Sequence, residues 1–145
     1  MDKSASCELR RLTNHVRRKL MTFKGDKNNK RQTSSHYYII NYIASKGNED
    51  VFQRDIDQRF SLRRPTTTEI LKLMERNGLV TKKSVENDLR LKKVVLTKKA
   101  KVLGEEFETF LEDMEAQMTQ GISQEHMDIF FDVIEKMRQN LENEA

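Results

Sequence analysis

The sequence predicts a mainly α-helical fold interrupted by one small β-hairpin. Three observations predict it. Apolar residues recur at three- and four-residue spacing over most of the chain. Between Leu79 and Leu96 that period changes to two. One proline and five glycines among 145 residues exclude collagen-like and Pro/Gly-rich disordered classes.

The elements follow in order. Residues 5–23 read as an amphipathic helix with Leu9, Leu12, Val16, Leu20 and Phe23 on one stripe and four arginines between them. Gly25 to Gln32 is a polar loop. Thr33, Ser34 or Ser35 can cap the next helix, which runs to about Ser45 with Ile39, Ile40 and Ile43 inward, and Gly47 stops it. A short helix over 53–60 buries Ile56 and Phe60. Ser61-Leu62-Arg63 turns the chain into a further helix, about Arg64 to Asn77, with Pro65 in its first turn and Ile70, Leu73 and Met74 inward. Leu79–Val85 and Arg90–Leu96 are the two strands, joined by Glu86 to Leu89. Such a hairpin is marginal alone and must pack on the helices before it. Thr97 caps a long helix over about 98–119 with Val102, Leu103, Phe107, Phe110, Leu111 and Met114 inward; Gly121 breaks it and Ser123 caps the last one.

Charge is unevenly spread. Residues 1–50 carry a net +6, residues 51–100 a net +7 and residues 101–145 a net −9. A basic middle with an acidic tail fits a middle that meets a polyanion; it also fits ordinary solvated faces. The longest apolar runs are a few residues, against about 20 for a membrane span. No apolar stretch follows the first charges, so no secretory signal is expected, and a single cysteine fits a reducing, cytoplasmic setting.

Helix, short helix, turn, helix and hairpin, in that order, describe a winged helix-turn-helix over residues 33–97. The surplus apolar faces over 1–32 and 98–145 are expected to form a helical dimerisation region. The second helix of the pair is long enough to fill a major groove. Arg63, Arg64, Thr66, Thr67, Thr68 and Lys72 lie at its start and along its outer side. Arginine can donate twice to guanine; threonine can bond a phosphate or a base and touch a thymine methyl. At the hairpin tip, Asp88 and Arg90 are two apart and so share a side of the strand, where the carboxylate can hold the guanidinium. Such an arginine can enter a minor groove. Lys82, Lys83, Lys92 and Lys93 flank it and can reach phosphates.

On these residues the chain resembles the MarR family of transcriptional regulators. The matching stretches are QRDIDQRFSLRRPTTTEILKLMERNGLV (Gln53 to Val80) and DLRLKKVVLT (Asp88 to Thr97), the second carrying the family's Asp-x-Arg wing signature and terminal Leu-Thr. The resemblance implies an obligate homodimer on pseudo-palindromic double-stranded DNA. Repression is its commonest role, relieved by a small ligand or an oxidant. It places an effector cleft between the dimer helices and the winged lobe, where His15, Arg18, Tyr37 and Tyr38 are the polar candidates for a phenolic or carboxylate ligand. Two departures stand out: Ser61-Leu62-Arg63 replaces a common Gly-Val-Ser, and Glu69 occupies a position that is often neutral or basic.

Cys7 sits where peroxide-sensing relatives carry a reactive cysteine, but Arg10 and Arg11, not a tyrosine, follow a turn later. An incidental thiol and a redox sensor remain as alternatives. His15, His36 and His126 lack the short spacing of a zinc site, so no metal or other cofactor is expected. No nucleophile elbow, phosphate-binding glycine loop or dinucleotide fingerprint occurs, so no enzyme is expected. The competing class is a winged helix that docks an acidic protein through its basic surface.

Overall fold

A computed structural model of the chain describes residues 3–25 and 33–142. Most of the predicted loop from Gly25 to Gln32 lies outside these residues, as do the outermost ends of the expected dimerisation region. Six helices and two strands are described: α1 (Ala5–Leu20), α2 (Ser34–Ser45), α3 (Gln53–Phe60), α4 (Arg64–Arg76), β1 (Val80–Val85), β2 (Asp88–Leu96), α5 (Lys98–Thr119) and α6 (Gln124–Glu142). The chain divides into two compact units, Met1–Leu111 and Glu112–Ala145.

Local chemistry sets most boundaries. Ser4 caps α1 by accepting from the Cys7 N–H at 3.2 Å. Thr33 is the N-cap of α2, although its hydroxyl makes no cap bond there. Asp55 closes the start of α3 by accepting from the Phe52 N–H at 2.8 Å. The Ser61 backbone is left-handed, φ 52°, and ends α3. Thr97 has two tasks: its hydroxyl donates to the Gly78 carbonyl at 2.6 Å and accepts from the Ala100 N–H at 3.2 Å. It therefore ties the end of β2 to the start of β1 and caps α5. Ser123 caps α6 through the His126 N–H.

In the first unit the core gathers Ile39, Ile40, Ile56, Leu71, Met74, Leu79, Val80, Ala100 and Phe107, all at most 1% exposed. It draws on α2, α3, α4, the hairpin and α5. The α4 stripe is rotated from the predicted one. Thr67, Leu71 and Met74 are buried, while Ile70 and Leu73 are half-buried. Phe60 is also half-buried, edge-on to Tyr42. On α5, Leu103 and Phe107 face inward but Val102 is exposed. Gly104 explains the phase: a Cβ there would lie 2.9 Å from the Ile40 side chain, so α5 meets α2 along its glycine edge.

The hairpin has one more neighbour than its sequence suggests. The Val94 N–H donates to the Val51 carbonyl at 2.7 Å, and Phe52 bridges Lys93, so the approach to α3 adds a single antiparallel rung. Two residues give too short a pattern to read as a strand.

His36, in the first turn of α2, is buried with no partner for Nδ1. Burial lowers its pKa from 6.5. Between the unfolded and the lowered folded value, the unfolded chain takes up a proton that the folded chain refuses. Stability present above pH 6.5 is therefore lost as the pH falls through that window. Melting curves from pH 7.5 to pH 5 are expected to fall more steeply for wild type than for His36→Gln; parallel curves would contradict this account.

Candidate nucleic-acid interface

The turn before α4 sets the geometry. Left-handed Ser61 reverses the chain, and the Leu62 N–H donates to the Asp57 carbonyl at 2.9 Å, which locks the reversal. Arg63 becomes the N-cap of α4, with no side-chain cap bond and no acidic residue in the first turn. The first N–H groups of α4 thus keep their capacity for an anion.

The six candidates on α4 do not share one surface. Arg63, Arg64, Thr66 and Lys72 are exposed. Arg64 is steered by Asp57, 3.5 Å away, and Lys72 lies 3.7 Å from Glu69 in a solvated pair. Thr67 is turned into the core, its hydroxyl 3.5 Å from the Arg63 carbonyl, so it offers nothing to a duplex. Thr68 is half-buried; its hydroxyl donates to the Arg64 carbonyl at 2.9 Å and accepts from Gln53 Nε2 at 2.7 Å. It positions the first turn of α4 from behind. Thr66→Val is expected to weaken binding to a specific duplex several-fold, on the order of one lost hydrogen bond. Thr67→Val should leave that affinity unchanged. Titration of both variants on the same duplex checks this, and equal losses would contradict the assignment.

At the wing, the ladder runs from Val80↔Leu96 to Ser84↔Lys92 and then jumps to Val85↔Asp88. Leu89, Arg90 and Leu91 are left outside the pairing, so the alternation argument does not apply to the tip. Asp88 holds Arg90 differently from the expectation: Oδ1 accepts from the Arg90 main-chain N–H at 2.9 Å. The carboxylate shapes the turn rather than clamping the guanidinium. Lys92 Nζ donates to Ser84 Oγ at 2.8 Å. Lys93 is drawn to Asp50, 3.3 Å away.

Arg64, Lys82, Arg90 and Lys92 line one groove of about 320 Å³ between the start of α4 and the wing. Gln53 and Arg54 line it too. Sequence reasoning missed both. Their signal was weak, because one arginine in a helix of mixed charge reads as a solvated side chain.

The effector candidates are not brought together in the same way. His15 and Arg18 are exposed on α1, and His15 Nδ1 lies 2.9 Å from the Arg11 carbonyl. Tyr37 is buried against Phe23 and Phe107, so it is core and not free to meet a ligand without repacking. Tyr38 is half-buried, edge-on to Phe107. Cys7 is exposed in the first turn of α1. Among the described residues, no three His, Cys, Asp or Glu side chains gather to hold a metal ion, and no helix is long and apolar enough to cross a membrane.

Residues 33–91 match the sequence model of the MarR family. The transcription regulator MarR from Oenococcus oeni PSU-1 is 25% identical, with a TM-score of 0.73 over 92% of this chain and 95% of its own. A putative MarR-family transcriptional regulator from Listeria monocytogenes, solved with 26mer DNA, is 19% identical, with a TM-score of 0.81 over 98% and 91% of the two chains. The PcaV transcriptional regulator from Streptomyces coelicolor, solved with its natural ligand, is 20% identical, with a TM-score of 0.80 over 94% and 93%. The last two likenesses are ones of fold.

Proposed function

We propose, from the match of residues 33–91 to the MarR-family model and the likeness to a MarR transcription regulator, that the protein is a homodimeric, cytoplasmic, DNA-binding repressor of that family and not an enzyme. It would bind a pseudo-palindromic duplex, with α4 in the major groove and Arg90 in the flanking minor groove. The observation that carries this reading is the convergence of Arg64, Lys82, Arg90 and Lys92 on one groove beside α4. Arg63, Thr66 and Lys72 would complete the contact along α4, and Asp88 would support it from within the wing.

The dimer is supported by apolar surface on each unit taken separately. α1 and α6 bury no side chain. Leu9 and Leu12 on α1, and Ile129, Phe130, Phe131 and Val133 on α6, are exposed. Such faces are what a second copy would cover. A net charge of −9 over residues 101–145 would keep that region off phosphate.

Modulation by a small phenol or carboxylate is part of the reading. The Streptomyces protein is a regulator solved with a ligand. Here His15 and Arg18 supply exposed polar groups and Tyr38 a half-buried one. Tyr37 would contribute packing only.

Selection of bound sequences from a random duplex pool tests the core of the reading. A recovered site with two half-sites about 34 Å apart is expected, together with a dimer in sedimentation. Equal binding to the selected and a scrambled duplex at fixed salt would overturn it and favour charge-driven docking of an acidic partner.

A further inference from the structure

The groove between the wing and α3 holds more positive charge than α4 and the wing tip account for. Five of its lining side chains are cationic: Arg54 on α3, Arg64 on α4, Lys82 on β1, and Arg90 and Lys92 on β2. Among the described residues no carboxylate lines it; the rest is Gln53 and three apolar side chains. Five like charges around one concavity repel one another; among the described residues Asp57 lies 3.5 Å from the Arg64 guanidinium, and Asp88 meets Arg90 at its main-chain N–H. Arg54 is also held in place, its guanidinium 5.4 Å from the centroid of the Phe52 ring. The start of α4 has no side-chain cap, which leaves the one main-chain N–H of Arg64 at this end; Pro65 has none.

We propose that this groove seats the phosphodiester backbone of one DNA strand, and that Arg54 is its phosphate-binding residue on α3. The inference rests on the reading of the chain as a duplex-binding protein. The lining chemistry selects the backbone. Its charged groups are all cationic, as the negative phosphate oxygens require, and Gln53, its one neutral polar side chain, already turns its Nε2 toward Thr68. The geometry agrees. A strand that faces α4 in the major groove and Arg90 in the adjacent minor groove must pass between helix and wing, and the groove lies there. Arg54 would then fix how the two reading elements are placed on the duplex without itself carrying sequence information.

The test is Arg54→Gln, titrated over a salt series against the selected duplex and a scrambled one. Arg54 is exposed, and a melting curve confirms that the variant folds. Affinity for both duplexes is expected to fall by the same factor, roughly three- to tenfold, with discrimination between them preserved. The slope of log affinity against log salt should shrink by about 0.9, the value for one lost phosphate contact. Arg54→Lys should recover most of the slope. Lys82→Gln, on another element of the same groove, should behave like Arg54→Gln. An unchanged slope would overturn the proposal, as would a loss confined to the selected duplex, which would make Arg54 a base reader. If wild type failed to discriminate the two duplexes, the repressor reading would fail instead. The change in slope on either duplex would still decide the seat.

Discussion

Arg90→Ala is expected to weaken binding to the selected duplex by roughly ten- to a hundredfold, corresponding to about 1–3 kcal/mol, while leaving the melting temperature unchanged. Arg90 is exposed on the three-residue segment that the hairpin ladder skips, so removing its side chain breaks no paired rung. A minor groove narrow enough to concentrate negative potential rewards a guanidinium more than an ammonium, so Arg90→Lys should recover only part of the loss. Asp88 supplies an internal control. Because its Oδ1 accepts from the Arg90 main-chain N–H, Asp88→Asn keeps an acceptor at that place and should retain most of the affinity, whereas Asp88→Ala should not. A clamp on the guanidinium would predict the reverse, with Asn as damaging as Ala. Fluorescence anisotropy on a labelled duplex reads all four variants. Wild-type affinity in Arg90→Ala would remove the wing from the mechanism.

Much of the fold that carries this candidate site was legible in the sequence, because its elements are fixed locally. Pro65 in the first turn, Gly78 past the last, and the Thr97 and Ser123 caps act within a few residues of themselves, and the bounds of α3 and α5 match the prediction. Rotational phase was less legible. The stripes through Ile70, Leu73 and Met74 and through Thr67, Leu71 and Met74 share the helical period and differ only in rotation. The choice between them is made by packing: Thr67 buries a methyl and sends its hydroxyl toward the Arg63 carbonyl, a solution that a run of three threonines conceals. The same holds for Val102 and Leu103, neighbours whose burial is decided where Gly104 admits Ile40. Arg54 was invisible for another reason. Its meaning comes from Lys82 and Arg90, which only the hairpin's return brings to its side. Ser61 shows a local departure with a local cause: it holds a left-handed backbone where glycine is common, at a strain of roughly 1 kcal/mol.

Phe107→Ala is expected to cost about 3–5 kcal/mol of stability, the largest single effect on folding proposed for this chain. Phe107 is fully buried, and four rings surround it: Phe23 at 5.2 Å, Tyr37 at 5.4 Å, Tyr38 at 5.2 Å and Phe110 at 6.2 Å between centroids. The ring thus joins the segment that follows α1, one face of α2 and α5 through one side chain. Rings from three segments cannot all move in to fill the space it leaves, so both the lost burial and the cavity count. Against a typical total of about 5–15 kcal/mol, the loss is a large fraction. At about 2–4 °C per kcal/mol for a chain of this size, the melting temperature should fall by roughly 6–20 °C. Phe107→Leu keeps most of the volume and should lose less. Protomer concentration must be held fixed, because the proposed dimer would add its own linkage to the melting temperature. Below the transition the variant should still discriminate its duplex, since α4 and the wing do not depend on this ring for their own hydrogen bonds. A loss under about 1 kcal/mol would mean that the core relaxes around the gap and that Phe107 is not its keystone.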